Sequence, residues 1–193
     1  MSKVKDFVIP TITLFAICLV ASVLLGLTNK VTAPKIEKIA YETQQNAMKE
    51  VMPDAASFDE SKELTLENGI TVEYCNALAS DGSAVGFAVT STGKGGYGGD
   101  IKLMVGVDKD GKVTKVSVLE QEETASIGGK LMSQESFLNR FIGISGSAAL
   151  TKNGGSIDAV SGATKSSTGL TDAVNNALLC WQAINNGEVS ANG

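Results

Sequence analysis

The sequence predicts an α+β fold, an antiparallel sheet flanked by helices, with one N-terminal transmembrane helix. Three patterns carry this prediction: an uncharged apolar run near the N-terminus, alternating apolar segments in the middle of the chain, and a helical stripe near the C-terminus. Strands grouped together and followed by a helix are typical of α+β domains rather than of parallel α/β sheets. A chain of 193 residues is long enough for one such domain together with an anchor.

The apolar run covers residues 7–27 and contains no charged side chain. It is about 21 residues long, roughly 31 Å as a helix, which is enough to cross a bilayer core. A cleaved signal peptide is the alternative, but the run is long for one, and its best small-residue site is followed by Pro34. We therefore expect a retained single-span anchor after a short N-terminal segment, residues 1–6. Lysines flank the run on both sides, so their distribution does not set the orientation.

After the anchor, residues 28–53 are expected to form a stalk helix, and residues 54–193 the main domain. Pro34 suits the first turn of the stalk helix, and Pro53 suits its end. A partial helical stripe of apolar residues lies between the two prolines. This helix would join the membrane anchor to the domain.

The domain begins with strand patterns and ends with a helical one. Alternating apolar segments predict strands at residues 70–74, 84–90, 101–107 and 113–119. Asp110-Gly111 lies between the last two segments and is typical of a hairpin turn. Near the C-terminus, a stripe at helical spacing predicts a helix over about residues 170–184 whose apolar face lies in the core, formed by Leu170, Val174, Ala177, Leu178 and Trp181.

Composition excludes several classes of site. A net charge of −5 without basic clusters argues against nucleic acid binding. The chain has no histidine, which excludes a histidine-dependent nucleophile and histidine metal ligation. Its three cysteines, Cys18, Cys75 and Cys180, form no C-x-x-C pair, so no zinc or iron–sulfur site is expected. Cys75 and Cys180 could pair, but two buried free thiols are the better interpretation.

The stretch with the most chemical information is residues 158–168, which follows a glycine-rich loop. Gly162 suits a tight turn, and the hydroxyl residues around it, Ser161, Thr164, Ser166, Ser167 and Thr168, are of the types that cap a helix start. A helix N-terminus has unpaired N–H groups and a partial positive charge, so it can seat a phosphate. An ordinary turn and cap is the competing interpretation of the same residues.

Two further loops have ligand-binding potential. Residues 93–100 are glycine-rich around Tyr97, which suits either a flexible surface loop or a close approach to a planar ligand with a stacking ring. Residues 120–130 contain Glu123, Thr124 and Ile127 after a run of acidic and amide side chains. Taken alone, this second segment is a solvated loop.

Asp158-x-x-Ser161-Gly162-Ala163-Thr164 resembles the flavinylation signature of the FMN-binding domain family, in which the last threonine carries FMN through a phosphoester. Gly-Tyr97-Gly-Gly and Glu123-Thr124-x-x-Ile127-Gly resemble two further segments of that family, although Ala125-Ser126 and Ile127 replace Pro-Gly and Leu. The resemblance implies covalent FMN on Thr164, with Lys165 available to the phosphate. It also implies a flavin site that includes Asp158, Ser161, Gly162, Ala163, Glu123, Thr124, Ile127 and Tyr97.

The layout as a whole is similar to the G subunits of Rnf complexes, which are ion-translocating ferredoxin:NAD+ oxidoreductases. This similarity implies a non-autonomous, single-pass subunit of the cell (inner) membrane with a short cytoplasmic N-terminus, residues 1–6, and an extracytoplasmic main domain. It would relay electrons between other membrane and peripheral Rnf subunits, and a flavin transferase would attach its FMN. Two alternatives are the flavin-bearing C subunit of a Na+-pumping NADH:quinone oxidoreductase, and a membrane-tethered binding or adhesion domain without a redox role.

Overall fold

The computed structural model describes residues 2–124 and 128–187. The α+β prediction is confirmed, because one long apolar helix precedes an antiparallel sheet and further helices. The helices are α1 (Ser2–Val51), α2 (Gly128–Met132), α3 (Glu135–Leu138) and α4 (Thr164–Asn185). The strands are β1 (Ser57–Phe58), β2 (Lys62–Thr65), β3 (Thr71–Leu78), β4 (Ala84–Gly93), β5 (Ile101–Asp108) and β6 (Val113–Glu120).

Helix α1 contains the apolar run, and every side chain from residue 7 to residue 32 is exposed. The helix is long and apolar enough to cross a membrane, and an exposed apolar surface of this extent suits lipid. It continues through Pro34, where the sequence predicts the first turn of a separate stalk helix. A proline removes only one backbone donor, so a long helix can continue past it.

The chain divides within α1 into two compact units, Met1–Thr43 and Gln44–Gly193. In the second unit the strands follow the order β1-β3-β4-β5-β6, all pairs being antiparallel, and β2 also pairs with β3. The predicted hairpin between β5 and β6 is confirmed. The Oδ1 atom of Asp108 accepts hydrogen bonds from the backbone N–H groups of Asp110 and Lys112, each at 2.9 Å, and Gly111 has a φ of +76°.

The two faces of this sheet pack into different apolar clusters, because neighbouring residues of a strand point to opposite faces. Tyr74 belongs to the larger cluster, which includes α2, α3 and α4, whereas Cys75 belongs to a smaller one. The smaller cluster lies under the last turns of α1 and is formed by Ala47, Met48, Val51, Met52, Cys75, Ala77, Ala88 and Met104. It was not predicted from the sequence.

All three cysteines are free, as the sequence predicts for Cys75 and Cys180. Cys75 lies in the smaller cluster and Cys180 in the larger one. Burial raises the pKa of the Cys75 thiol to about 11 and that of the Cys180 thiol to about 12. Both groups therefore stay protonated at neutral pH.

Helix α4 confirms the predicted apolar stripe, since Leu170, Val174, Ala177 and Leu178 are buried. It begins at Thr164, six residues before the predicted start at residue 170, with Ala163 as the N-cap and no side-chain cap. Capping, one of the two roles considered for these hydroxyl residues, is therefore not observed. The hydroxyls of Ser167 and Thr168 instead donate to the carbonyl oxygens four residues before them, at 2.9 Å and 2.8 Å.

Candidate functional site

A cavity of about 450 Å³ lies at the start of α4, within the size range of small-molecule sites. Three segments that are distant in sequence meet around it: the turn before α4 with its first helical residues, the segment after β6, and the glycine-rich loop between β4 and β5. Its lining consists of Tyr97, Glu123, Thr124, Gly128, Gly162, Ala163, Thr164, Lys165 and Ser166.

Thr164 is the first residue of α4 and is exposed at the cavity. The turn that places it there is closed by a hydrogen bond from the N–H of Ala163 to the carbonyl oxygen of Val160, at 2.9 Å. Gly162 has a φ of +80°, in the left-handed region that glycine adopts at little cost. Because Ala163 has no side chain able to cap the helix, no side chain of the N-cap covers the first N–H groups of α4.

The side chain of Glu123 joins the three segments. It is 8% exposed, and its Oε2 atom accepts a hydrogen bond of 2.8 Å from the hydroxyl of Ser166 on α4. Its Oε1 atom accepts one of 2.7 Å from the backbone N–H of Tyr97 in the glycine-rich loop. The N–H of Glu123 itself donates to the side-chain oxygen of Gln121, at 2.6 Å.

Glycine is required where the three segments approach one another. A Cβ atom on Gly128 would lie 2.2 Å from Oε2 of Glu123 and 2.7 Å from Oγ of Ser166. A Cβ atom on Gly96 would lie 2.6 Å from Oε1 of Glu123. These distances are too short for a real contact, so larger residues would push the cavity wall apart.

Tyr97 and Lys165 lie at the open side of the cavity. The ring of Tyr97 is 71% exposed, which is unusual for a large aromatic side chain. The Nζ atom of Lys165 lies 6.0 Å from the centre of this ring, at the outer limit of a cation–π contact. The cavity therefore combines an aromatic ring, a cation and a hydroxyl at one rim.

Most of the residues predicted for a flavin site line this one cavity: Thr164, Gly162, Ala163, Lys165, Glu123, Thr124 and Tyr97. Ser161 and Asp158 do not line it, and both are exposed. The carbonyl oxygen of Asp158 accepts a hydrogen bond of 2.7 Å from Nη1 of Arg140. The predicted residue Ile127 lies outside the described residues.

Gly128 is part of the cavity wall but is not among the residues predicted for the flavin site. The sequence feature that could have indicated it is the Gly128-Gly129 pair, which directly follows the Glu-Thr segment. In the described part of the chain, no group of three His, Cys, Asp or Glu side chains could hold a metal ion. The groups that line the cavity are hydroxyl, backbone amide, carboxylate and ammonium groups, together with the phenol of Tyr97.

Comparison with known proteins relates the same region to flavin binding. The model of the FMN-binding domain family matches residues 96–179, which include all three segments of the cavity. At the level of the fold, the chain resembles the crystal structure of NqrC from Shewanella oneidensis with a TM-score of 0.50 and 20% identity. That likeness covers 71% of this chain and 72% of the other.

Two relatives match nearly the whole chain. The G subunit of the ion-translocating oxidoreductase complex from Methanosarcina acetivorans is 34% identical over 182 residues, which are 92% of this chain and 96% of that protein. The G subunit of the Na+-translocating ferredoxin:NAD+ oxidoreductase complex from Acetobacterium woodii is 30% identical over 187 residues, 89% of each chain. The chain therefore belongs to the family of G subunits of ion-translocating oxidoreductase complexes.

Proposed function

We propose that this chain is the flavin-carrying subunit of a membrane-bound ion-translocating ferredoxin:NAD+ oxidoreductase, and that FMN is attached to it covalently through the hydroxyl of Thr164. The observation that carries the proposal is the position of Thr164, which lines the cavity inside the region matched by the FMN-binding domain. The names of the relatives support the assignment to a redox-driven complex. In such a complex the subunit would relay electrons between partner subunits.

The residues present fit this cofactor. The Thr164 hydroxyl is exposed and sits beside the first turn of α4, where free N–H groups favour a phosphate. The ammonium group of Lys165 is available to the remaining negative charge of a phosphoester. The rest of the lining presents an aromatic ring, a glycine wall and the side chains of Glu123 and Thr124, which suit a planar group.

Each segment would have a different task in holding the cofactor. The turn before α4 would present the hydroxyl for the ester, and Lys165 would balance the phosphate charge. The glycine-rich loop would contribute the ring of Tyr97, and the segment after β6 would bring Glu123 and Thr124 to the flavin. FMN would supply the ring that carries the electrons, and the protein would position it and tune its potential.

Attachment would be made by a flavin transferase that recognises residues 158–164. Asp158 and Ser161 are exposed and lie outside the cavity lining, so an enzyme could contact them while Thr164 reacts.

Helix α1 would anchor the chain in the cell (inner) membrane with its domain on the extracytoplasmic side, residues 54–193 forming most of that domain. On that side a covalent bond would prevent loss of the cofactor by dilution.

The test is in-gel flavin fluorescence of the denatured chain after expression with a flavin transferase. Thr164→Ala is expected to abolish the fluorescent band, because it removes the hydroxyl that forms the ester. Thr168→Ala is the matched control, since Thr168 lies one helical turn later and does not line the cavity. A dark parent band, with the transferase shown to be active on another substrate, would contradict the proposal and favour a tethered domain without a redox role.

A further inference from the structure

Glu123 is the one charged side chain among the buried polar residues of the described chain. Carboxylates are rarely buried to this degree unless a cation pairs with them. None of the ion pairs among the described residues includes Glu123. Its presence in the wall of a ligand cavity therefore requires an explanation beyond packing.

The two partners of this carboxylate are neutral. Oε1 accepts from the backbone N–H of Tyr97 and Oε2 accepts from the hydroxyl of Ser166. Such donors stabilise an ionised carboxylate without cancelling its charge. The negative charge of Glu123 consequently lies in the wall of the cavity, where burial limits its screening by water and salt.

We propose that Glu123 lowers the reduction potential of the flavin bound in this cavity. The inference depends on the proposed function, because it concerns the same site. On reduction a flavin takes up two electrons but, near neutral pH, only about one proton, so it gains about one negative charge. A fixed negative charge in the cavity wall makes that gain less favourable. Tyr97 and Ser166 act through Glu123 by holding its two oxygens in place.

The chain offers a close control for this effect in Glu122. This residue is also acidic and adjacent in sequence, but its side chain is exposed and does not line the cavity. Water and salt screen an exposed charge far more than a buried one. Replacing either glutamate by glutamine removes one negative charge. The two variants therefore differ only in the burial of the replaced side chain and in its position relative to the cavity.

The experiment is a redox titration of the full chain in detergent, carrying covalent FMN, at an electrode with mediators that supply the electrons. Glu123→Gln keeps the shape of the side chain and is expected to favour the reduced flavin about tenfold, a rise of about 30 mV for a two-electron couple. Glu122→Gln is expected to leave the midpoint potential unchanged. An unchanged potential in Glu123→Gln, or equal shifts in both variants, would overturn the inference.

Glu123→Asp separates charge from shape and keeps the test decisive if the glutamine variant does not fold. The aspartate retains the charge but is too short to reach both donors. If charge sets the potential, the midpoint potential of this variant stays close to that of the parent. A shift in midpoint potential larger than that of Glu123→Gln would overturn the inference. If the glutamine variant cannot be measured, a shift equivalent to more than tenfold would overturn it. In-gel fluorescence of each sample identifies the separate failure, since an unflavinylated parent contradicts the proposed function itself.

Discussion

At the scale of single residues, the cavity depends on glycines, which have no side chain, as much as on the polar side chains around it. Gly128 and Gly96 leave room for the two oxygens of Glu123, and Gly162 allows the turn that exposes Thr164. The hydroxyl of Ser166 and the backbone N–H of Tyr97 hold those two oxygens by hydrogen bonds. The stability of the fold should therefore be sensitive to the addition of one methyl group in this wall.

Gly128→Ala tests that sensitivity. The added Cβ would lie 2.2 Å from Oε2 of Glu123, so the wall must move, and overpacking of this kind costs about 1–3 kcal/mol. We expect a lower urea midpoint, followed by the fluorescence of Trp181, the one tryptophan of the chain. Gly129→Ala is the matched control, since its Cβ would lie no closer than 3.4 Å to any neighbour. Equal midpoints for the two variants would contradict this account of the wall.

The resemblance to the FMN-binding domain family predicted most of the residues that line the cavity, but not the hydrogen bonds that connect its segments. Thr164 and Gly162 belong to a motif whose spacing is local, so their proximity follows from the sequence. The contacts of Glu123 join residues 26 and 43 positions apart in the sequence. Such contacts depend on how β4, β5 and α4 pack, which no local pattern encodes.

At the scale of elements, the last turns of α1 serve as one layer of the domain. They cover the sheet face opposite α4, and Gly106 on β5 permits the close approach, because a Cβ there would lie 2.3 Å from the carbonyl oxygen of Val51. The hydroxyl of Thr114 on β6 donates to the same oxygen at 2.5 Å. The end of α1 is thus part of the fold as well as a connection to the anchor.

An ion pair at this layer predicts a pH dependence. The hydrogen bond from Lys115, at 2.9 Å, together with that from Ser117, lowers the pKa of Glu50 below its ordinary value of 4.5. A carboxyl group whose pKa is lower in the folded chain than in the unfolded chain stabilises the fold at pH values above its unfolded pKa. This stabilisation is lost as pH falls through its folded pKa. We expect Glu50→Gln to reduce the free energy of unfolding by less than about 1 kcal/mol at pH 7, because both groups are partly exposed.

Urea unfolding of both chains at pH 7 and pH 3 provides the measurement. The difference between parent and Glu50→Gln should be smaller at pH 3 than at pH 7, because protonation of Glu50 removes the ion pair. A difference that persists unchanged at pH 3 would show that the ion pair is not its cause.

Alternating segments and turn chemistry predicted the central strands closely. The segments at residues 84–90 and 101–107 correspond to β4 and β5, and Asp110-Gly111 closes the hairpin. The short strands β1 and β2 have little apolar alternation, and they form because β3 offers them an unpaired edge. The early start of α4 was missed because hydroxyl residues favour caps in sequence statistics, whereas here they donate to carbonyl oxygens within the helix.

At the scale of the whole molecule, the division of the chain determines where a soluble version can begin. A version that starts at residue 44 keeps Ala47, Met48, Val51 and Met52, whereas one that starts at residue 54 loses all four. Without them, the apolar face that includes Met104 becomes exposed to water. We expect the shorter version to lose several kcal/mol of stability and to bind a hydrophobic dye.

Urea midpoints and dye fluorescence of the two versions, compared side by side, test this expectation. The longer version should unfold at the higher midpoint and bind the dye weakly. Identical midpoints would mean that the end of α1 adds nothing to the domain.

The separation of Cys75 and Cys180 has a consequence for biogenesis. The two thiols lie in clusters on opposite faces of the sheet, and burial keeps each in the protonated form, which is the unreactive one. In the folded domain, neither thiol forms the thiolate that would attack the disulfide of an oxidising enzyme, and the two cysteines are too well separated to be joined. The domain can therefore mature without help from the oxidative folding machinery, and it acquires the same cysteine chemistry in a reducing or an oxidising compartment.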